Sequence, residues 1–489
     1  MYGLWVVLNI MVNQITIFWF RRDLRISDNP GLLAALQNGL VMPIYIFDNN
    51  DSNPFKIGGA SKWWLHHSLN NLNKLLDNKL NVYLGDPKTI ILKIIKKHQV
   101  NSVYWNRCYD PYSIKTDTMI KSTLHNMNID CKSFNASLLW EPWSTLKPDG
   151  TPYKVYTYFY RNGCLKSSSP RKPLAKPKKL TLFLDPNNAC SIDQLQLLSK
   201  IKWHNKIEPL WEIGEQAAQK KLTIFLNKHL NGYKDNRNYP DKPNVSRLSP
   251  HLSFGEISPH QIWHAALDLQ KLDKDLEHFL SEIAWREFSY YLLYHFPELP
   301  HKNFQSKFDR FIWEDNQKFL IAWQQGQTGY PIVDAGMREL WQTGYMHNRV
   351  RMIVGSFLVK NLLLHWRHGE NWFWECLLDA DLANNSASWQ WIAGCGADAA
   401  PYFRIFNPVT QGEKFDQDGN YTKKFVPELA NLPNKYLFNP WEAPEAILKN
   451  AGVVLGKTYP KPIVDLKLSR NKAIEAYRNI SVTNTNSTL

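Results

Sequence analysis

The first quarter of the chain alternates short apolar, β-rich runs with longer segments of helical periodicity. The runs are QITIFWF, VMPIYIF, LNVYLG, SVYWN and DCKSF, and the intervening segment SKWWLHHSLNNLNKLLDN places apolar residues at helical spacing. This rhythm of strand, crossover and strand predicts a parallel, Rossmann-like α/β domain over residues 14–140. The turn after the first run, RRDLRISDNP, has no G-x-G-x-x-G. We therefore expect no dinucleotide in the usual phosphate cradle.

The composition changes after this sheet pattern. The stretch LKSSSPRKPLAKPKKL is rich in Ser, Pro and Lys, which disfavours packed structure, so residues 141–210 are predicted to be an interdomain linker. Its charge is most simply that of a solvated loop, with direct nucleic-acid contact as the alternative. Over residues 211–478 helical patterns follow one another with short breaks, which predicts a large all-α domain.

Bulk composition bears on the compartment and the partners. The chain has 489 residues and a formal charge of +14, which would attract nucleic acid or anionic lipid, or serve solubility alone. Six scattered cysteines without a C-x-x-C pair argue against a zinc site or a disulfide scaffold and suit a cytoplasmic protein. The opening MYGLWVVLNIMVNQ is short and lacks a basic start. We expect an extension, with Met11 as an alternative start, and neither a signal peptide nor a membrane span.

Two motifs in the helical half place unlike polar and apolar groups on one helix face. In EIAWREF, Glu282 and Trp285 could recognise a polar, planar ligand, although by itself the motif is more simply a helix surface. In GYMHNRVRM, Asn348, Arg351 and Met352 share a face that would form a wall for a heteroaromatic ring. Alternatively, Arg351 only pairs with an acid across a helix interface.

A third motif, DADLANNSASWQW, concentrates acids, amides and indoles within thirteen residues. On a helix, Trp389 and Trp391 would be separated by about 200° and would face nearly opposite environments. Asp379, Asp381 and Asn385 could bind ribose hydroxyls and ring nitrogens, or could cap a helix. The chain has no P-loop, no G-x-S-x-G and no H-E-x-x-H motif, so no metal site is predicted. These residues indicate a basic helical domain that binds an aromatic cofactor.

Six motifs together resemble the photolyase/cryptochrome family in order and spacing. They are FWFRRDLRISDNPGL, SRLSPHLSFGEISP, EIAWREF, TGYPIVDAGMREL, MHNRVRM and DADLANNSASWQWIAGCGADAAPYFRIFNP. The resemblance covers residues 15–478 and is strongest for the class I cyclobutane pyrimidine dimer (CPD) photolyases. It implies an enzyme that repairs ultraviolet-damaged DNA with light.

The resemblance implies a folded FAD in the helical domain, reduced and anionic when active. The positions that match flavin-pocket residues are Tyr233, Ser246, Arg247, Leu248, Ser249, Arg286, Asn348, Arg351, Asp379, Asp381 and Asn385. Asp379 is expected to pair with Arg351, and Asn385 to lie opposite flavin N5. Val245 stands where relatives commonly have Thr, which puts one hydroxyl contact in doubt.

The resemblance also implies a cavity for a CPD flipped out of the DNA. The positions that match it are Glu282, Trp285, Asn348, Met352 and Trp391. Glu282 would hydrogen-bond the base edge and the indoles would pack on the thymine rings. Arg349 and Arg404 match positions that contact the flanking phosphates, so that binding should depend on salt. One electron passes from excited flavin to the dimer and returns, with no net redox change.

Further family features concern electron and energy transfer. Trp389, Trp366 and Trp313 match the tryptophan chain that carries electrons to an oxidised flavin. The N-terminal domain is expected to bind a second, antenna chromophore, with methenyltetrahydrofolate favoured over a deazaflavin or another flavin. We expect a monomer that binds DNA and no membrane.

Two other activities within the family remain alternatives. A cryptochrome would have the same fold and flavin, but long C-terminal extensions are common there, and Trp391 and Met352 favour repair. A (6-4) photolyase would need a pair of active-site histidines, and MHNRVRM has one.

Overall fold

The computed structural model describes residues 15–185, 189–269, 273–399 and 403–482. The N-terminal extension and the choice between Met1 and Met11 lie outside these ranges. No helix within them is both long enough and apolar enough to cross a membrane.

The N-terminal part contains a five-stranded parallel sheet. Its strands are β1 (Ile15–Phe20), β2 (Leu40–Phe47), β3 (Asn81–Leu84), β4 (Val100–Asn106) and β5 (Asp130–Phe134), in the order β3-β2-β1-β4-β5. Every residue of the central strand β1 is buried, which explains why all of them but Thr16 are apolar. The predicted strands and their parallel arrangement are confirmed.

Four helices connect these strands: α1 (Pro30–Gln37), α2 (Gly59–Leu75), α3 (Pro87–Lys97) and α4 (Pro111–Asn126). Three of them begin with the same local signal, because Asn29, Asp86 and Asp110 accept a backbone N–H from the first turn and a proline follows each. Apolar side chains of β1, β2 and β4 pack with Ile91 and Ile120 to form the core of this layer.

The remainder is helical, as predicted. Its α-helices are α5 (Tyr156–Tyr158), α6 (Glu215–Ile224), α7 (Tyr233–Asn236), α8 (Ser249–Ser253), α9 (Pro259–Leu267), α10 (Lys274–His295), α11 (Gln317–Gln325), α12 (Pro331–Thr343), α13 (Asn348–Ser356), α14 (Trp366–Cys376), α15 (Leu382–Ala393), α16 (Pro408–Phe415), α17 (Asn420–Phe425), α18 (Asn434–Leu437), α19 (Glu445–Asn450) and α20 (Leu466–Val482). A short π-helix, Phe357–Asn361, directly follows α13.

The chain divides into two compact units by its internal contacts, and the predicted functional domains stay a prediction. The first unit comprises residues 1–205, 211–228 and 246–297, and the second comprises residues 206–210, 229–245 and 298–489. The helix α10, which was assigned to the all-α domain, thus belongs to the first unit.

The segment predicted to be a solvated linker is attached to the sheet domain. Arg171 pairs at 2.5 Å with Asp28, a fully buried carboxylate that also accepts the backbone N–H of Leu174 at 2.8 Å. Further along, Leu182 forms a bridge with β2 and Cys190 forms one with β3. A buried acid needs charged or hydrogen-bonding partners, and the basic segment supplies them.

Candidate functional site

The predicted site residues fall in both compact units. The first unit contains Ser246, Arg247, Leu248, Ser249, Glu282, Trp285 and Arg286. The second contains Tyr233, Trp313, Asn348, Arg349, Arg351, Met352, Trp366, Asp379, Asp381, Asn385, Trp389, Trp391 and Arg404. The meeting of the two groups in one cavity stays a prediction.

Helix α10 places Glu282 and Trp285 on one face, and neither side chain is fully buried. Tyr156 stacks flat on the Trp285 indole, with ring centroids 3.7 Å apart and planes within 9°. The Tyr156 hydroxyl donates to the carbonyl of Ser281 at 2.7 Å, which orients its ring. One face of the indole is therefore covered, and a planar ligand would have to stack on the other face. Tyr156 was not among the residues expected from the sequence, where its only signal is the aromatic run YTYFY.

The next residues of α10 attach it to the segment after β5. Arg286 donates to the carbonyl of Ser137 at 2.8 Å, and its guanidinium lies 4.6 Å from the Tyr290 ring centre. Glu287 is 3% exposed and accepts the backbone N–H of Leu139 at 2.7 Å. Burial raises the pKa of Glu287 to about 7. These contacts hold the face that carries Trp285 in a fixed orientation.

The SRLS residues form the turn that leads into α8. Arg247 has a φ of +51°, a left-handed conformation that is uncommon for a residue with a side chain. Its guanidinium lies 4.6 Å from the Trp211 ring centre. The Ser246 hydroxyl accepts the backbone N–H of Leu248 at 3.4 Å, and Leu248 is buried. The turn therefore has a defined shape, held by an aromatic contact and by a local hydrogen bond.

In the second unit, Arg351 of α13 pairs with Asp379 at 2.8 Å, as predicted. Its Nε also donates to the carbonyl of Met346 at 2.8 Å. Burial opposes the positive charge of Arg351, but Asp379 reverses this and raises the pKa of the guanidinium overall. Tyr233, at the start of α7, is buried, and the guanidinium of Arg237 lies 5.7 Å from its ring centre.

The DADLANNSASWQW segment forms the start of α15 and its first three turns. Asp381 caps the helix by accepting the backbone N–H of Asn384 at 2.9 Å, which is the capping role left open above. Asn385 is buried and donates its Nδ2 to the backbone carbonyl of Glu370 at 3.0 Å. Its Oδ1, an acceptor, is thus the end of the amide that remains to face a ligand.

Glu370 of α14 was not among the residues expected from the sequence. Its carboxyl accepts the Ser386 hydroxyl at 2.6 Å, one residue beyond Asn385, while its carbonyl orients the Asn385 amide. Burial raises its pKa to about 7. Only its aromatic neighbours could have indicated it, since Trp366 and Trp374 lie four residues before and after Glu370 and therefore share its helix face.

The three tryptophans of the predicted chain differ in exposure. Trp389 and Trp366 are buried in the core of the second unit, and Trp313 is half-buried. The His365 ring lies 5.0 Å from Trp313 and 5.5 Å from Trp366. Gly369 lets α14 approach α15 closely, because a Cβ there would lie 2.0 Å from the Trp389 ring. Trp313 is the most exposed of the three tryptophans.

The remaining predicted contacts lie at the edge of this core. Trp391 is half-buried and donates its Nε1 to the carbonyl of Asp398 at 3.1 Å, so that it faces a different environment from Trp389. Arg349 donates to Asn238 at 2.6 Å and lies 4.3 Å from the Phe415 ring centre. The last three residues range from half-buried to exposed; they are Met352, Asn348 and Arg404.

Known protein families match most of the chain. A family model described as the FAD binding domain of DNA photolyase matches residues 279–479, and one described as DNA photolyase matches residues 16–178. The deoxyribodipyrimidine photo-lyase of Agrobacterium fabrum is 48% identical over 474 residues, which cover 96% of this chain and 98% of that protein. Cryptochrome-2 of Arabidopsis thaliana is 38% identical, with 96% of this chain and 80% of the plant protein covered.

A solved structure gives the same result for the fold. The crystal structure of a bacterial class III photolyase from Agrobacterium tumefaciens matches with a TM-score of 0.92 and 48% identity, covering 96% of this chain and 98% of that chain. The family resemblance and the fold expected from the motifs are confirmed. The class of this relative is III, whereas the motifs suggested class I.

Proposed function

The chain belongs to the photolyase/cryptochrome family, and from this premise we propose that it repairs cyclobutane pyrimidine dimers in DNA with light. The observation that carries the proposal is helix α15. It presents a fixed neutral amide at Asn385, a buried indole at Trp389 and a half-exposed indole at Trp391. In this proposal Asn385 contacts the flavin, Trp389 passes electrons to the flavin, and Trp391 packs on a flipped base.

The residues present fit FAD. The Arg351–Asp379 pair and the oriented Asn385 amide offer a donor, an acceptor and no unpaired charge to a heteroaromatic ring. When bound, reduced FAD supplies on excitation the single electron that opens the cyclobutane ring and that returns afterwards. Asn385 would offer its neutral amide to N5 of the ring, where a carboxylate would disfavour negative charge on the ring.

The residues of this chain would bind and orient the extruded bases. Trp285 offers one indole face, because Tyr156 covers the other, and this defines a single stacking site for a thymine ring. Glu282, one turn earlier on α10, can hydrogen-bond the base edge. Arg404 is exposed and Arg349 is partly so, as phosphate contacts require.

The class of photolyase that the relatives support is class III. The identity of 48% to a class III enzyme spans almost the whole chain, which exceeds the 38% identity to a plant cryptochrome. Light signalling through a protein partner is therefore the second candidate.

The finer expectations from the motifs stay part of the proposal. We expect methenyltetrahydrofolate as the antenna chromophore in the sheet domain, a monomer, and a cytoplasmic location. Extraction of the chromophores from purified protein, followed by absorption spectroscopy, would identify the antenna directly.

Repair activity tests the proposal. Purified protein with reduced flavin should restore CPD-containing DNA under blue light and leave it unchanged in darkness. Trp391→Ala should weaken binding of the lesion while the flavin stays bound, because Trp391 is assigned to the substrate and not to the cofactor. Unchanged dimer content after illumination would reject repair, and loss of flavin from the variant would show that Trp391 was assigned wrongly.

A further inference from the structure

Lys360 is a buried lysine of the second unit, beside Arg404 and Trp391, the proposed contacts to DNA. It lies in the π-helix Phe357–Asn361 and is 3% exposed. Its ammonium donates to the backbone carbonyl of Arg404 and lies 4.5 Å from the Phe403 ring centre. Within the described residues, no carboxylate lies within ion-pair distance of it. Burying a cation with only these partners costs folding free energy, so we expect a role that explains its position.

The ammonium holds a short segment, Phe403–Phe406, which we name the arginine loop. The loop has a second attachment to the same part of the fold, because the backbone N–H of Phe406 donates to the Ser356 hydroxyl at 3.2 Å. Phe403 stacks on Tyr477 with ring centroids 4.8 Å apart. The Arg404 side chain is exposed, and its guanidinium lies 5.2 Å from the Phe406 ring centre. The backbone of Arg404 is thus fixed from inside while its side chain reaches outward.

Trp391 belongs to the same arrangement. Lys360, Trp391, Arg404 and Tyr477 line one small cavity of about 20 Å³, enough for a single water molecule. A shift of the arginine loop would therefore change the surroundings of both the indole and the guanidinium.

We propose that Lys360 is a positioning residue for lesion binding, whose buried ammonium holds the arginine loop so that Arg404 and Trp391 engage the damaged strand together. This inference rests on the proposed function. Lys360 itself touches neither base nor phosphate; it acts through the carbonyl of Arg404 and the ring of Phe403.

The protonation of Lys360 links this arrangement to pH. Burial lowers the pKa of Lys360, and together with a smaller effect of the positive charge of Arg404 the pKa falls to about 7. The titratable and charged groups that face it are Arg404, Tyr477 and the Cys395 thiol. Burial raises the pKa of Cys395 to about 12, so this thiol stays neutral near pH 7. A phosphate held by Arg404 would favour the ammonium, so DNA binding should take up a proton and weaken as pH rises above 7.

The test compares three variants of the flavin-loaded, full-length protein. Lys360→Met removes the charge with little change of volume, and Lys360→Arg keeps a charge at every pH. Lys307→Met is the matched control, because Lys307 also lies over the Tyr477 ring, at 5.3 Å, but makes no described bond to the arginine loop. The affinity for a CPD-containing duplex is measured at pH 6.5 to 8.5, together with amide exchange in the arginine loop, flavin photoreduction and the melting temperature.

At pH 6.5 we expect Lys360→Met to bind the lesion roughly ten-fold more weakly than wild type, as for one lost charged hydrogen bond. This deficit should shrink toward pH 8.5, where wild-type Lys360 is largely neutral, and Lys360→Arg should lose the Lys360-dependent part of the pH response. Amide exchange in the arginine loop should become faster in Lys360→Met and stay unchanged in Lys307→Met. Photoreduction without DNA should be unaffected.

Equal affinities of Lys360→Met and wild type, or a deficit of the same size at every pH, would overturn the inference, because the latter indicates a general loss of stability. Wild-type protein with no preference for the CPD duplex would instead reject the proposed function. In that event the role in lesion binding falls as well; faster exchange in the arginine loop of Lys360→Met would still support the contact by which Lys360 holds the loop, and unchanged exchange would reject that contact too.

Discussion

At the scale of single residues, the site depends on groups outside the recognisable motif that orient the motif's side chains. Asn385 is one of the motif residues, yet its orientation comes from the carbonyl of Glu370, fifteen positions earlier. The Glu370 carboxyl binds Ser386, so two consecutive residues of α15 are held by one residue of α14. The motif identifies the Asn385 amide, and the contact with Glu370 determines that its oxygen is the end left to face a ligand.

Replacement of Glu370 by Gln should stabilise the protein above neutral pH. The folded-state pKa of Glu370 is raised from 4.5 to about 7, so its stabilising contribution is complete below pH 4.5 and is lost as pH rises through 7. Glu370→Gln removes this titration and keeps a group that can bond Ser386. The variant should gain up to about 3 kcal/mol over wild type at pH 8 and little at pH 5.

Thermal unfolding at several pH values measures this difference. Glu375→Gln, which changes an exposed acid of the same helix, is the control and should not reproduce the pH-dependent gain. An advantage of Glu370→Gln that is equally large at pH 5 would contradict the assigned burial of the carboxyl.

At the scale of elements, the close contact of α14 with α15 brings the tryptophans together. Gly369 has no side chain where Trp389 packs, and a Cβ would lie 2.0 Å from the indole. The close contact of α14 with α15 and the position of Trp389 therefore both depend on Gly369.

Gly369→Ala should destabilise the protein by about 1–3 kcal/mol through overpacking and should slow flavin photoreduction by displacing Trp389. Gly355→Ala is the matched control, since a Cβ there would meet Ile392 at 3.4 Å and Trp389 at 3.6 Å, which is tight but near ordinary contact. Chemical denaturation and the rate of photoreduction measure the two effects. Full stability and an unaltered rate for Gly369→Ala would mean that the helices do not approach as closely as described.

The attachment of the basic segment to the sheet domain is a second element-scale feature. Burial opposes ionisation of Asp28, but the hydrogen bond from Arg171 and the charge of Arg25 lower the pKa of this carboxyl overall. A lowered carboxyl pKa gives stability that is present above the unfolded-state pKa and is lost as pH falls through the folded-state value.

Arg171→Met should therefore cost roughly 1–3 kcal/mol at pH 7, less than for a fully buried pair because the Arg171 side chain is about a third exposed. The cost should disappear at strongly acidic pH, where Asp28 is protonated in both proteins. Lys172→Met, at the exposed neighbouring position, should have little effect on unfolding at any pH. An equal, small effect of both substitutions would contradict the attachment and would support the solvated linker predicted from composition.

At the scale of the whole molecule, the charge of +14 is distributed over a protein whose proposed substrate is a polyanion. The charge alone did not distinguish a protein that binds DNA from one whose charge serves only its solubility. The family and the exposed arginines favour the first explanation.

Binding of CPD-containing DNA should consequently weaken with salt, and Arg404→Gln should reduce the slope of log K against log salt by about 0.7–0.9, the value of one phosphate contact. Lys472→Gln, an exposed site on α20, is the control and should leave the slope unchanged. Titrations at several salt concentrations measure both slopes. An unchanged slope for Arg404→Gln would remove Arg404 from the phosphate contacts.

The sequence by itself determined the features that depend on neighbours along the chain. The alternation of buried strands and amphipathic helices predicted the parallel sheet and the helical remainder, because backbone hydrogen bonding and burial impose those periods locally. The order of the motifs was sufficient to identify the family. The family resemblance in turn predicted the pairing of Arg351 with Asp379, which the structure contains.

Only the tertiary structure decided which distant groups meet. Tyr156 covers Trp285 across 129 positions, and Arg171 neutralises Asp28 across 143. The burial of Lys360 beneath the arginine loop is likewise absent from any local pattern. A side chain's partners at such separations depend on how complete layers pack, and packing selects contacts by shape and by the cost of unpaired buried charge, neither of which leaves a period in the sequence.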